Sequence, residues 1–180
     1  MNILIPLAEG FEEIEAATTI DVLRRAGLNV TVAGIPGTII KGSRNVKIIA
    51  DKKLEDINPD EFDALVLVGG DPGYKNLGNS QKILKTIHDF DSNKKILAAI
   101  CAAPLILARE GILDDKKATI YPGFERKLQR PRGNGVVIDG NIITSQGPGT
   151  AMEFALKIVE VLQGKNKSSM LKKELVFMGD

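Results

Sequence analysis

The sequence is poor in the residues that most often mark specialised sites. Its 180 residues include one cysteine, one histidine and no tryptophan. A single cysteine cannot form an internal disulfide, so nothing in the sequence requires an oxidising compartment. Metal sites need clustered ligands, and the two best candidates, Cys101 and His88, are far apart in the chain. We therefore expect no metal site.

An excess of one charge and a long apolar run are also missing. Lysine and arginine total 24, aspartate and glutamate total 23, and no block of like charge suggests a nucleic-acid-binding tail. The lysines between Lys165 and Lys173 are predicted to form a solvated surface. The longest uncharged run, Ile96 to Ala108, is too short to span a bilayer, and the N-terminus does not resemble a signal peptide. We expect a cytoplasmic protein with no nucleic-acid or membrane partner.

Several motifs of common α/β enzymes are absent as well. The loop after the first predicted strand reads Pro6-Leu7-Ala8-Glu9-Gly10, without the G-x-G-x-x-G of dinucleotide-binding folds. The sequence contains neither G-x-x-x-x-G-K-[ST] nor G-x-S-x-G. The third main strand ends in Gly69-Gly70, where a phospho-receiver would carry an aspartate.

What the sequence does contain is an alternation of apolar strands and amphipathic helices. This order predicts one α/β domain over residues 1–180, with a mostly parallel sheet covered on both faces. The predicted strands are Asn2–Leu7, Leu28–Ala33, Ala64–Val68 and Lys95–Ile100, with hairpins at Ile39–Ala50 and Val136–Thr144. The predicted helices are Phe11–Ala26, Gln81–Phe90, Ala102–Glu110 and one that starts at Pro148 and ends before Gly164.

Ligand sites in such sheets lie beyond the carboxyl ends of the strands. Cys101 occupies this position, between an apolar strand and a helix, with the small residues Ala99 and Ala103 two positions away on either side. That spacing is typical of a nucleophile elbow. The helix end would favour a thiolate, although a lone cysteine more often simply packs in a core.

Glu15 is the candidate partner of this thiol. It shares a helical stripe with Thr19, Val22 and Ala26, which are small or apolar. Two alternatives remain open at this stage: a surface acid, or a buried carboxyl with a raised pKa that stays protonated beside the sulfur. His88 is predicted on the outer side of a helix, which argues against catalysis by a Cys–His dyad within one chain.

Five segments together resemble the DJ-1/ThiJ/PfpI superfamily, and they are closest to its DJ-1 branch. The similarity runs over nearly the whole chain and includes the tail Leu171–Phe177. The segments are GFEEIEA around Glu15, Asp21–Gly27, LVGGDPG at Leu67–Gly73, AICAAP at Ala99–Pro104 and TSQGPGTAMEFAL at Thr144–Leu156.

The resemblance implies a flavodoxin-like three-layer sandwich that forms a homodimer and uses no cofactor. It implies that Cys101 and Glu15 are catalytic. Backbone amides at the glycine pair and after the cysteine would form an anion or oxyanion pocket, and other residues would lie near the pocket or the dimer interface. The residues of the anion pocket are Gly69, Gly70 and Ala102. The residues near the pocket or the dimer interface are Arg25, Arg44 and Tyr121, and Tyr121 stands where many members carry a histidine.

Three functions follow from this resemblance, in order of preference. The first is a glyoxalase III or deglycase that acts on methylglyoxal or related α-oxoaldehydes, with Cys101 attacking the aldehyde and Glu15 moving the proton. The second is a redox-sensing stress-response protein or chaperone that works through oxidation of Cys101. The third, an intracellular cysteine protease or amidase, ranks last because no usable histidine is present.

Overall fold

Strands and helices alternate along the chain in a computed structural model, which describes residues 1–179. The strands are β1 Asn2–Ala8, β2 Asn29–Ile35, β3 Ile39–Lys41, β4 Lys47–Ile49, β5 Lys52–Lys53, β6 Ala64–Leu67, β7 Ile96–Ile100, β8 Lys117–Ala118, β9 Arg130–Pro131, β10 Val136–Asp139 and β11 Ile142–Ser145. The helices are α1 Glu13–Arg25, α2 Gly73–Gly78, α3 Gln81–Ser92, α4 Pro104–Arg109, α5 Ala151–Gln163 and α6 Lys165–Glu174.

The main sheet has seven strands in the order β10-β11-β7-β6-β1-β2-β5. Its neighbours pair in parallel, except for the antiparallel hairpin β10–β11. One face packs against α1, α5 and α6, and the other packs against α2, α3 and α4. The predicted three-layer, mostly parallel α/β sandwich is confirmed, as are both hairpins.

The central strands β1, β6 and β7 position the site. They are almost entirely buried, which explains why their sequences are continuous apolar runs and not alternating patterns. Because they run parallel, their carboxyl ends at Ala8, Leu67 and Ile100 lie at one edge of the sheet. The loops that follow these three strands therefore meet there.

Several helix boundaries differ from the predictions, and two helices were not predicted. The helices α1 and α4 begin two residues later than expected, since the loops before them fold into turns at the sheet edge. Before α5, Thr150 Oγ1 accepts a hydrogen bond from Gly147 N at 3.1 Å, and the Thr150 side chain makes no capping hydrogen bond to the helix. The polar helix α6 escaped prediction because it buries only Ser168 and Leu171.

Within residues 1–179, no helix combines the length and the apolar character that crossing a membrane requires.

Candidate active site

Cys101 lies at the turn between β7 and α4 in a backbone conformation that non-glycine residues rarely adopt. Its φ is 64°. Two hydrogen bonds hold it there: its N–H donates to the Ser145 carbonyl at 3.0 Å, and its carbonyl accepts from Tyr121 N at 2.9 Å. Ala99 and Ala103 are fully buried on either side. The strained turn directs the thiol out of the sheet edge, as the elbow spacing predicted.

Glu15 is completely buried beside this thiol, which settles the choice between a surface acid and an inward-facing carboxyl. Its Oε2 accepts a hydrogen bond from Gly69 N at 2.7 Å. The carboxyl and the Cys101 sulfur lie on the same side of Gly69, since a Cβ there would be 2.9 Å from Glu15 Oε2 and 3.1 Å from Cys101 Sγ. Oε1 is buried and has no partner of standard geometry among residues 1–179. A proton on Glu15 would give this carboxyl a donor to share with the sulfur.

The Gly69-Gly70 turn brings the three loops into contact. A Cβ on Gly69 would lie 2.6 Å from Cys101 Cβ and 2.9 Å from Glu15 Oε2. Gly70 has a φ of +94°, and its N–H and that of Ala102 lie near enough to the Cys101 sulfur to oppose the rise in the pKa of the thiol. The three amides of the predicted anion pocket therefore face different groups. Gly69 N donates to Glu15, whereas Gly70 N and Ala102 N face the Cys101 sulfur.

The two ionisable groups influence each other's pKa. Burial raises the pKa of Glu15 to about 7. Burial and the negative charge of Glu15 raise the pKa of the Cys101 thiol to about 12, against the weaker effect of the two amides. The expectation that the helix end alone makes an acidic thiol is therefore wrong. Between the two pKa values, the pair holds one proton.

The surroundings of the two groups favour placing that proton on Glu15. The sulfur has two amide donors and is partly open to solvent, so its anion is solvated. The carboxylate has one amide donor, no solvent contact and an unpartnered oxygen. Negative charge is more stable at the better solvated atom, so the one-proton state of the pair is a thiolate beside a protonated carboxyl.

The thiol opens into a cavity of about 310 Å³. Its wall combines aromatic rings from Tyr74, Tyr121 and Phe124 with charged side chains from Glu12, Arg44 and Asp71. The Tyr121 and Phe124 ring centroids lie 6.4 Å apart. Of these residues, Arg44 and Tyr121 were predicted. Tyr74 and Phe124 were missed, because each comes from a loop or short helix in which no spacing marks it.

The other predicted residues lie elsewhere. Arg25 pairs with Asp21 at 2.8 Å and with Glu174 at 3.4 Å, at the opposite end of α1. Ten residues of helix separate it from Glu15, roughly 15 Å along the axis. Within one chain Arg25 therefore does not line the cavity, and its place at a dimer interface stays a prediction. His88 is exposed and pairs with Glu110 at 3.1 Å, away from Cys101.

No set of three or more histidine, cysteine, aspartate or glutamate side chains within residues 1–179 is arranged to hold a metal ion.

Replacing Gly69 by alanine is expected to lower the free energy of unfolding by about 1–3 kcal/mol, the usual cost of overpacking. The new methyl group would collide with Cys101 and Glu15. Urea denaturation measures the change. Gly133→Ala is the matched control, since a Cβ at Gly133 has no heavy atom within 4 Å. Equal stability of the two variants would contradict the described packing.

Glu15→Gln is expected to stabilise the protein at pH 8 and to leave stability unchanged near pH 4. The folded protein keeps the Glu15 proton up to about pH 7, whereas an unfolded glutamate loses it near its ordinary value of 4.5. The folded state thus binds more protons in this window, so the wild type loses stability as pH rises, by about 3 kcal/mol. Urea denaturation at several pH values should show a flatter profile for the variant.

Comparison with known proteins agrees with this geometry. The model of the DJ-1/PfpI family matches residues 1–161. Protein dj-1beta of Drosophila melanogaster is 44% identical over 178 residues, covering 96% of this chain and 95% of that protein. The Parkinson disease protein 7 homolog of Danio rerio is 40% identical over 180 residues, covering 96% and 95%. The solved structure of oxidized Toxoplasma gondii DJ-1 superposes with a TM-score of 0.95 at 35% identity, covering 99% of each chain. These matches span nearly the whole fold and the site, and the chain belongs to the DJ-1/PfpI family.

Proposed function

We propose that this protein is a cofactor-independent enzyme of the glyoxalase III type, which converts methylglyoxal or a related α-oxoaldehyde into a 2-hydroxy acid. The observation that carries the proposal is the contact between the Cys101 sulfur and the buried Glu15 carboxyl, whose pKa lies near neutrality. A nucleophile and a group that can both give and take a proton thus face the same reacting atoms. Deglycase activity would use the same first step on the aldehyde that a reversible adduct releases.

The first step is attack of the Cys101 thiolate on the aldehyde carbon. A C–S bond forms, the carbonyl π electrons move to oxygen, and the amides of Gly70 and Ala102 lie where they can stabilise that oxyanion. Transfer of the Glu15 proton to this oxygen gives a neutral hemithioacetal. Glu15 is then an ionised carboxylate and can act as a base.

The second step moves a proton between the two carbons. The Glu15 carboxylate removes the proton from the former aldehyde carbon, which produces an enediolate. The hydroxyl proton of the hemithioacetal passes to the former ketone oxygen, and Glu15 returns its proton to the neighbouring carbon. The former aldehyde carbon is thereby oxidised to a thioester while the ketone carbon is reduced to an alcohol. Water then hydrolyses the thioester, releases the hydroxy acid and regenerates the thiol. The overall reaction consumes one water and needs no external oxidant.

The test is direct detection of lactate from methylglyoxal, with no added thiol or cofactor. We expect one lactate for each aldehyde consumed. One enantiomer should be in excess, because Glu15 approaches the intermediate from one side only. Chiral chromatography of the product measures both. Loss of methylglyoxal without lactate would contradict the proposal, since any thiol captures aldehydes reversibly.

A second candidate is a redox sensor that responds through Cys101. The thiol is partly exposed, and the amides that face it would also stabilise an oxidised, negatively charged sulfur. The similar Toxoplasma gondii protein is described in an oxidized form. Mass spectrometry after peroxide treatment should find two added oxygen atoms on Cys101; a thiol that resists peroxide while iodoacetamide modifies it would contradict this role. A homodimer and a cytoplasmic location also remain proposals, and the protease alternative stays last.

A further inference from the structure

Glu13 makes an unusual set of contacts for a helix-terminal acid. Its side chain is nearly buried, 9% exposed, and it reaches the turn formed by residues 42–46. Its Oε1 accepts hydrogen bonds from Arg44 N at 2.6 Å and Val46 N at 3.3 Å, and its Oε2 accepts from Ser43 Oγ at 3.1 Å. Burial alone would raise the pKa of Glu13, but these hydrogen bonds outweigh it and lower the pKa. The carboxylate is therefore ionised at neutral pH.

The turn is shaped to receive this carboxylate. A Cβ on Gly42 would lie 2.4 Å from Glu13 Oε1, so only glycine allows the approach. The flanking backbone is joined to the loop after β1, with Gly10 N donating to the Lys41 carbonyl at 2.8 Å and Ser43 N to the Phe11 carbonyl at 2.9 Å. Glu13 thus fixes the tip of a turn whose base the backbone already holds.

This tip carries Arg44 to the cavity above Cys101. Arg44 lines the cavity and forms no ion pair with any residue in 1–179. Its Nη1 donates a hydrogen bond to the Ser43 carbonyl at 3.4 Å, which leaves the charge without an anionic partner. Two acids share the lining, and one of them, Asp71, is paired with Lys75 at 2.9 Å. Arg44 and Glu12 are therefore the two charged residues of the lining that form no ion pair within residues 1–179.

We propose that Arg44 is a specificity-determining residue that favours electrophiles bearing a carboxylate, and that Glu13 is its positioning residue. A cation at the cavity mouth raises the local concentration of anions and stabilises an anionic tail near the thiolate. A neutral three-carbon aldehyde fills only part of the 310 Å³ cavity and has no group for Arg44. The favoured substrates are thus oxoaldehydes that carry a carboxylate. This inference rests on the proposed nucleophilic role of Cys101.

The experiment compares alkylation of Cys101 by iodoacetate and by iodoacetamide, which differ in charge but react alike with a thiolate. The chain has one cysteine, so labelling reports this site alone. The ratio of the two rate constants cancels changes in thiol pKa. We expect Arg44→Gln to lower the ratio about threefold to tenfold, as one unit charge at a solvent-facing site would do. Glu13→Ala should lower it by a similar factor, and Glu12→Gln should raise it.

Glu13→Gln keeps an oxygen that can accept the two backbone N–H groups, so it should retain most of the wild-type ratio. In the double variant Glu13→Ala/Arg44→Gln, the ratio should equal that of Arg44→Gln alone, because Glu13 acts through Arg44. If Glu13→Ala does not fold, an intermediate ratio in Glu13→Gln supports the proposal and a ratio equal to that of Arg44→Gln contradicts it. An unchanged ratio in Arg44→Gln would overturn the proposal.

Alkylation requires the thiolate but no turnover, so the labelling result stands whether or not methylglyoxal is converted to lactate. If no lactate forms but the labelling ratio still depends on Arg44, only the proposed glyoxalase reaction is excluded. Conversely, if lactate forms but the labelling ratio does not depend on Arg44, only the inference about substrate charge is excluded.

Discussion

Cys101→Ser is expected to reduce lactate formation from methylglyoxal by about 10³-fold or more, the scale seen when a covalent nucleophile is removed. A serine hydroxyl at this elbow would need a strong general base to become a nucleophile. The only histidine of the chain is paired with Glu110 on the surface, and Glu15 holds its proton up to about pH 7. Below about pH 7, neither group can therefore activate the hydroxyl. Initial rates of lactate release in wild type and variant measure the effect.

The control for this variant is its fold. Serine is smaller than cysteine and also fits the positive φ, so the free energy of unfolding should change by less than about 1 kcal/mol. Met152→Leu, a conservative change in a helix on the sheet face, should retain full activity. Substantial lactate formation by a folded Cys101→Ser protein would exclude covalent catalysis by Cys101.

The sequence allowed the fold and the two central residues to be predicted for physical reasons that can be stated. Fully buried parallel strands produce continuous apolar runs, and a tight strand-to-helix turn requires small neighbours, so Cys101 was recognisable. Glu15 was visible as the one acid on an otherwise small or apolar stripe. Burial of that stripe confirmed its direction.

The remainder of the site depends on contacts between segments distant in sequence. Glu13 looks like an ordinary acid at a helix start, yet it bonds to a turn about thirty residues away, and no local sequence pattern marks that contact. Arg25 and Arg44 were grouped by resemblance, but α1 takes one of them to the far end of the helix. The thiol pKa was also mispredicted, because a helix end suggests a stabilised anion, whereas burial and a neighbouring acid depend on packing that no local pattern contains.

Glu15→Gln is expected to separate the two chemical roles of the site. Glutamine keeps the size of the side chain but cannot give or take the proton that moves between carbons. Lactate formation should therefore fall by about 10²–10⁴-fold, the usual contribution of general acid–base catalysis. Alkylation of Cys101 by iodoacetamide should persist or accelerate, since the variant removes the negative charge that raises the thiol pKa and leaves the Gly70 and Ala102 amides in place.

This pairing of results distinguishes proton transfer from thiol activation. If Glu15 served mainly to create the thiolate, Glu15→Gln would lose alkylation and lactate formation together. If it served only to support the fold, stability would fall, whereas removal of a buried acid with a raised pKa should stabilise the protein above pH 7. Asp21→Asn is the matched control: it removes an exposed acid from the same helix, and both rates should stay within about twofold of wild type. Loss of lactate formation with alkylation preserved is the outcome that only a proton-transferring Glu15 produces.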